Sequence, residues 1–360
     1  MPSIYDVLLE RGFVRQVTHE DSLRELLEKE QVTFYIGFDP TADSLHVGSV
    51  LPLMAMAHLQ RAGHRAIALL GVGTAMIGDP TGRTEMRRML SRETLAANAE
   101  RFKEQIGRYL VLDGEQGFLV DNSEWLLPLN YIGFLREIGV HFSVNRMLEA
   151  ECFRMRMERG LSFIEFNYML LQAYDFLVLY RRHGCRLQMG GDDQWSNILA
   201  GADLIRRVEG VEAYGLTFPL LATASGRKMG KTETGAVWLD PAKTSPYEFY
   251  QYWRNIEDAD VLRFLAFYTF LPMEEVRRLG SLRGRAINEA KKVLAYEATR
   301  LAHGGEAAAA ARAAAEALFE EGGGEGAGVP TTVIPADEAM GGLSILDLLV
   351  RTGLAPTKSE

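Results

Sequence analysis

Cysteine is scarce, with Cys152 and Cys185 far apart in 360 residues and no C-x-x-C spacing. This pattern supports neither a disulfide framework nor a zinc site, and reads as buried thiols. Long apolar runs are missing: none is long enough to cross a bilayer, and no charged-then-apolar leader opens the chain. The expected setting is cytoplasmic, with no membrane partner. Positive charge is in deficit, at a formal net of -9, which argues against a protein that coats DNA or RNA nonspecifically and leaves room only for a local basic face. Arg277, Arg278, Arg283, Arg285, Lys291, Lys292 and Arg300 form the one dense basic stretch. It reads first as a solvated helical face and second as a surface for a phosphate backbone.

What remains is globular, 47% hydrophobic and 24% charged, and long enough for two or three domains. Thr33 to Phe38 is apolar, β-branched and aromatic, as in a buried strand, and Val50 to Ala62 has helical spacing. Between them, Asp39-Pro40-Thr41 and Asp43-Ser44 offer turn and N-cap chemistry, which predicts a first helical turn over Leu45 to Ser49. Unpaired amides on such a turn suit an anion. His46 adds a donor there, and Gly48 lets a flat ligand approach the backbone. An ordinary capped connection would look the same.

Residues 1 to 30 read as a helical lead-in. Arg65 to Gly71 is a second strand, followed by a glycine-punctuated loop to Arg83 that carries Asp79. Leu90 to Leu110 reads as a helix, Gly117 to Asp121 as a strand and Leu126 to Ile138 as an amphipathic helix. Arg186 to Gly190 and Tyr214 to Pro219 are the remaining strands. The alternation implies an α/β fold with a parallel sheet that binds ligands beyond the carboxyl ends of its strands. Within the apolar helix Ser162 to Tyr180, Tyr168, Gln172 and Asp175 share one face. Buried polar groups need partners, here either an internal network or an amino-acid-like ligand. Gly190-Gly191-Asp192-Asp193-Gln194-Trp195 opens another helix, and its side chains could meet hydroxyl, ammonium or carboxylate groups. Ser225-Gly-Arg-Lys-Met-Gly-Lys-Thr232 gathers cations suited to a triphosphate. It is not a Walker A loop, since Gly226 and Gly230 have three residues between them where that loop needs four.

Taken together, His46-Val-Gly-Ser49 after the first strand and Lys228-Met-Gly-Lys-Thr232 after the last resemble the two signature motifs of class I aminoacyl-tRNA synthetases. Tyr35 to His46, Gly78-Asp-Pro-Thr-Gly82, Tyr168 to Asp175 and Gly190 to Trp195 extend the resemblance to the bacterial tyrosyl-tRNA synthetases, over nearly the whole chain. The resemblance implies a Rossmann-like catalytic domain over 1–225, with a homodimer interface about 126–150, and a KMSKS-type loop and connection over 226–243. A helical anticodon-side domain over 244–321 follows, then a linker and the start of an S4-like RNA-binding domain over 322–360. It further implies a ligase that activates L-tyrosine with ATP to tyrosyl-adenylate and pyrophosphate and passes the tyrosine to the 3'-terminal adenosine of tRNA(Tyr), with charging expected to be weak where the S4-like domain is cut short, and no editing domain.

For the site, the resemblance implies that Tyr35 and Asp175 bind the phenol of L-tyrosine and that Asp79, Tyr168 and Gln172 bind its ammonium. Gln194 would lie near its carboxylate. Asp39, Thr41, His46, Gly48 and Ser49 would line the ATP site, with Gly191 and Asp193 at the ribose and Arg83, Lys228, Lys231 and Thr232 at the pyrophosphate. His46, Lys228, Lys231 and Thr41 would carry the catalysis, with ATP as substrate, Mg2+ accompanying it and no zinc. Ser49 and Gly230 depart from the usual His and Ser of the motifs. A tryptophan-activating relative and a noncatalytic RNA-binding protein are the alternatives. The first would be expected to lack the Tyr35 and Asp175 pair, the second to have lost Asp79 or the lysines.

Overall fold

The fold is taken from a computed structural model, which describes residues 3–81, 90–150, 160–224, 235–319, 332–336 and 341–355, with single residues and pairs between these stretches. Cys152, Arg83, residues 225–230 and the glycine-rich stretch 322–328 lie outside the described residues, and of Lys231 and Thr232 only the backbone is described.

The strands are β1 (Gln16–Val17), β2 (Thr33–Phe38), β3 (Arg65–Leu70), β4 (Gly117–Asp121), β5 (Cys185–Gly191) and β6 (Tyr214–Phe218). They form one sheet in the order β1-β6-β5-β2-β3-β4, parallel except for β1, which runs antiparallel along β6. The parallel part starts in the middle at β2, builds outward through β3 and β4, and then returns to the other side of β2 with β5. The crevice between β2 and β5 is therefore the switch point of the sheet. A lead-in that the sequence suggested to be wholly helical instead contains α1 (Ile4–Arg11), β1 and α2 (Glu20–Lys29). Two residues are too few to show a strand period.

The helices packed on the sheet are α3 (Val47–Arg61), α4 (Val72–Ala75), α5 (Arg92–Ile106), α6 (Ser123–Leu126), α7 (Tyr131–Glu137), α8 (Val144–Leu148), α9 (Phe163–His183) and α10 (Trp195–Glu209). Two sequence expectations need correction. The single helix expected over 126–138 is broken into α6 and α7 around Pro128, and Asn130 caps α7 by accepting from the Gly133 amide. The helix expected from residue 45 begins at Val47 and carries Pro52, which leaves the Gly48 carbonyl without its usual amide donor at position 52. By contrast, α9 has strong local stops: a Ser162–Glu165 capping box at one end and left-handed Gly184 at the other.

Side chains alternate across the sheet as strand geometry requires. Phe34, Ile36 and Phe38 of β2 enter the core under α1, α2, α3 and α5, whereas Tyr35 enters the core under α9 and α10. The first core does not end at the sheet. It continues without a break into a helical region made of α11 (Pro246–Arg254), α12 (Val261–Tyr268), α13 (Met273–Gly280), α14 (Ile287–His303) and α15 (Gly305–Phe319). Phe249, Tyr250, Trp253, Phe264, Phe267 and Tyr268 are all buried there, so the aromatic cluster is core. Phe13 meets Phe267 at 5.2 Å between ring centroids, and His58 meets Phe270 at 4.9 Å. A final short helix, α16 (Ile345–Arg351), follows.

The basic stretch is largely engaged in local pairs. Arg277 pairs with Glu10, Arg278 with Glu275, Lys291 with Asp258 and Arg300 with Glu297. Lys291 is largely covered, at 12% exposure, while the other pairs lie at the surface, fit a solvated face and contribute little each.

Arg11 joins the two halves of the core. It is buried, and its guanidinium donates to the carbonyls of Ala266 (2.9 Å), Thr269 (3.0 Å) and Leu271 (2.5 Å) at the C-terminal end of α12. A cation at a helix C-terminus is favourably placed, and these carbonyls lose their partner if it is removed. Arg11→Met should lower the unfolding free energy by about 3 kcal/mol, read as a lower urea midpoint at unchanged slope.

Candidate active site

A cavity of about 500 Å³ opens at the switch point, beyond the carboxyl ends of β2, β3, β5 and β6. Its walls bring together Tyr35, Asp39, Thr41, His46, Gly48, Ser49, Asp79, Tyr168, Gln172, Asp175, Gly191, Asp193 and Gln194. Residues separated by up to 159 positions in sequence thus face one space. Arg83 and Lys228 lie outside the described residues, as do the side chains of Lys231 and Thr232.

At the deep end, Asp175 sits on the α9 face turned toward the sheet, 1% exposed. Its two oxygens are held by Asn122 Nδ2, which donates at 2.9 Å, and Trp125 Nε1, which donates at 2.7 Å. Burial pushes this carboxyl up to about 7; the bonds from Asn122 and Trp125 pull it down, and Asp39 and Asp121 add to the rise. Tyr35 faces the same layer, and its hydroxyl has no hydrogen-bond partner among the described residues. Burial first, then Asp175, raises that phenol well above its ordinary value, so it stays protonated. Gln188 stands opposite Tyr35 in the β2–β5 register, and its Oε1 is likewise buried without a partner. A site of this kind presents a carboxylate and two unspent polar groups to a ligand's polar end.

A second group surrounds Asp39. Its Oδ1 accepts from Thr74 Oγ1 (2.9 Å) and its Oδ2 from the Tyr168 hydroxyl (3.0 Å). Asn122 Nδ2 also donates to Thr74 Oγ1 at 3.0 Å, while the Gly73 amide donates to Asn122 Oδ1 at 2.7 Å. One amide side chain thereby links Asp175 to Asp39. Gly71 is required for this approach, since a Cβ there would stand 2.1 Å from Asp39 Oδ1.

The third group is Asp79 with Gln194. Asp79 accepts from the Thr81 amide at 2.9 Å and from Gln194 Nε2 at 2.8 Å, and Asn197 Nδ2 donates to Gln194 Oε1 at 3.0 Å. Both Asp39 and Asp79 are thus fixed in place by protein donors before any ligand arrives.

At the mouth, the sequence expectation needs another correction. Ser44 and Asp43 do not cap α3. Ser44 Oγ accepts from Gln105 Nε2 and from the Asp240 amide, both at 3.1 Å, and Asp43 pairs with Lys243 at 2.5 Å and Arg101 at 3.2 Å. The cap is His46, whose Nδ1 accepts from the Gly48 amide at 3.0 Å. That bond assigns the remaining proton of the neutral ring to Nε2. Gly48 is needed for the same reason, because a Cβ would meet the His46 ring at 2.7 Å. Backbone pairing of residues 45–47 with 237–239 ties this first motif to the chain just after the lysine-bearing stretch.

Asn122, Trp125, Thr74 and Gln188 carry this architecture yet gave no signal in sequence. Each is a single polar or aromatic residue in a segment that otherwise reads as core or cap.

A family model described as tRNA synthetases class I (W and Y) matches residues 27–320. The tyrosine–tRNA ligase of Caldanaerobacter subterraneus subsp. tengcongensis is 63% identical over 358 residues, covering 99% of this chain and 87% of that one. That of Acetivibrio thermocellus is 61% identical over 360 residues, covering 100% and 88%. Among solved structures, a C-terminally truncated mitochondrial tyrosyl-tRNA synthetase of Aspergillus nidulans superposes with a TM-score of 0.80 at 31% identity, over 89% of this chain and 95% of that one.

Asp175 provides a pH test of the site. Its folded value lies above the unfolded 3.8, so between about pH 4 and pH 7 the native state holds a proton that the unfolded chain has released, and stability falls as pH rises through that window. Relative to Asp175→Asn, the wild type should lose on the order of 3 kcal/mol between pH 4 and pH 8, measured by urea unfolding without ligand.

On the match across residues 27–320 and the identity of about three residues in five over the whole length, the chain belongs to the class I tRNA synthetases of the tryptophan and tyrosine group and, within it, to the tyrosine–tRNA ligase family.

Proposed function

We propose that the cavity binds L-tyrosine and ATP side by side, forms tyrosyl-adenylate and pyrophosphate, and passes the tyrosyl group to the terminal ribose of tRNA(Tyr). The buried Tyr35–Asp175 pair carries this reading. A phenol entering between them accepts from the Tyr35 hydroxyl and donates to Asp175, whose other partners are already set. Phenylalanine would leave both groups buried and unpaired, which is costly. Tryptophan would present an indole where this pair is arranged for a hydroxyl.

Asp79, Tyr168 and Gln172 surround the ammonium, with Asp79 held by Gln194 and Thr81 and with the Tyr168 hydroxyl anchored on Asp39. Gln194 reaches toward the carboxylate. Asp39, Thr41, His46, Gly48 and Ser49 take the nucleotide side, and Gly191 and Asp193 the ribose. We assign Arg83, Lys228, Lys231 and Thr232 to the pyrophosphate from their motifs. The wall carboxylates Asp39 and Asp79 are engaged by protein donors, so Mg2+ fits as a companion of the triphosphate.

The chemistry needs no general base. The carboxylate of tyrosine is already an anion at neutral pH and attacks the α-phosphorus, while the bond to the β-phosphate oxygen breaks. The protein's task is alignment and charge stabilisation. His46 Nε2–H and the lysines supply donors and positive charge as negative charge grows on the departing pyrophosphate.

The assembly is a homodimer built on the 126–150 region. Leu127, Tyr131, Ile132, Leu135, Val140 and Val144 are large apolar side chains left between 38% and 70% exposed there. Such a density suits a covered face.

Tyrosine should drive ATP–pyrophosphate exchange and phenylalanine or tryptophan should not; exchange with none of the three would refute activation at this cavity. Tyr35→Phe should raise the KM for tyrosine roughly tenfold, the loss of about one hydrogen bond, and narrow the preference over phenylalanine. In sedimentation equilibrium at micromolar concentration the wild type should be dimeric and Ile132→Glu monomeric, and a monomeric wild type would exclude the proposed assembly.

A further inference from the structure

The stretch carrying Lys228 is entered through Ala222, Thr223 and Ala224. Two residues of the helical region hold that entrance. Asp260, at the head of α12, is 2% exposed, and its Oδ2 accepts from the Ala224 amide at 2.9 Å. Its other oxygen accepts from Arg263 Nη2 at 2.6 Å, and the same nitrogen donates to the Ala222 carbonyl at 2.5 Å. Amide, carboxylate, guanidinium and carbonyl thus close a ring of hydrogen bonds around residues 222–224.

The carboxylate is buried where it would be expensive unless paired, and both its oxygens are engaged on this one task. Arg263 also lies over the Phe264 ring, 5.1 Å from its centroid, which fixes the direction of its side chain. Helix α12 is itself rigidly seated, for it packs into the core shared with α1 and α3 and is gripped by Arg11 at its other end. The chain beyond the lysines is secured separately, by the pairing of residues 237–239 with 45–47.

We propose that Asp260 and Arg263 are positioning residues for tyrosine activation: they fix residues 222–224, which immediately precede the lysine-bearing stretch in sequence. The proposal rests on the assignment of Lys228 and Lys231 to the triphosphate. Neither Asp260 nor Arg263 lines the cavity, so their effect belongs to the transition state and leaves amino-acid binding alone.

The test is ATP–pyrophosphate exchange with tyrosine on Arg263→Met, Arg263→Lys and Lys228→Ala in the full chain. Methionine keeps an unbranched stem against Phe264 and removes the donors. Arg263→Met should lower kcat roughly tenfold, since a displaced catalytic group is costly in rate, with the KM for tyrosine within about twofold of wild type and the melting temperature little changed. Arg263→Lys should recover most of the rate, because both bonds come from one nitrogen. Exchange at the wild-type rate in Arg263→Met, with Lys228→Ala impaired, would overturn the positioning role and leave the lysine assignment standing. An unimpaired Lys228→Ala would overturn both. A fall in kcat matched by a rise in the KM for tyrosine and by a lowered melting temperature would reduce Arg263 to a stabilising residue and overturn the proposal.

Discussion

A carboxylate enclosed between a parallel sheet and an apolar helix is the demand around which this protein is arranged. Ionised Asp175 is tenable there only because Asn122 and Trp125 occupy both of its oxygens. Those two partners come from the end of β4 and from α6, so that edge of the sheet must close over α9 for the site to exist. Asn122 in turn bonds Thr74, which bonds Asp39, which receives Tyr168 from the same helix as Asp175. The polar chain leaves α9 and returns to it. Any shift of that helix disturbs both ends, which makes its strong capping box and glycine stop functional as well as structural features.

Much of this was legible in the residues. Tyr168, Gln172 and Asp175 declared themselves because an apolar helix with three polar residues at four-then-three spacing has to satisfy them somewhere. The alternating sheet and the later helices followed from period and punctuation, and the short motifs joined into one family pattern because their order along the chain is constrained by the fold. Asn122, Trp125 and Thr74 were not legible, since their partners lie about fifty positions away and no local rule marks a tryptophan as a donor to a distant acid. Gln188 was hidden in a strand that reads as buried core.

The misread details have local physical causes. Ser44 and Asp43 have the chemistry of caps, but Gln105, Lys243 and Arg101 claim them through tertiary bonds, and His46 does the capping with a ring nitrogen. Propensity gives way to context where a loop is pinned from several sides. The break at Pro128 and the entry at Val47 move helix ends by a few residues.

The continuous core beneath α1, α3 and α12 bears on how the molecule divides. The family resemblance puts a domain boundary near residue 243, and among the described residues one continuous core runs across it. A fragment cut there would lay bare Phe13, the outer side of α3 and His58, all of which depend on Phe267 and Phe270 for cover. It would be an aggregating piece instead of a smaller enzyme.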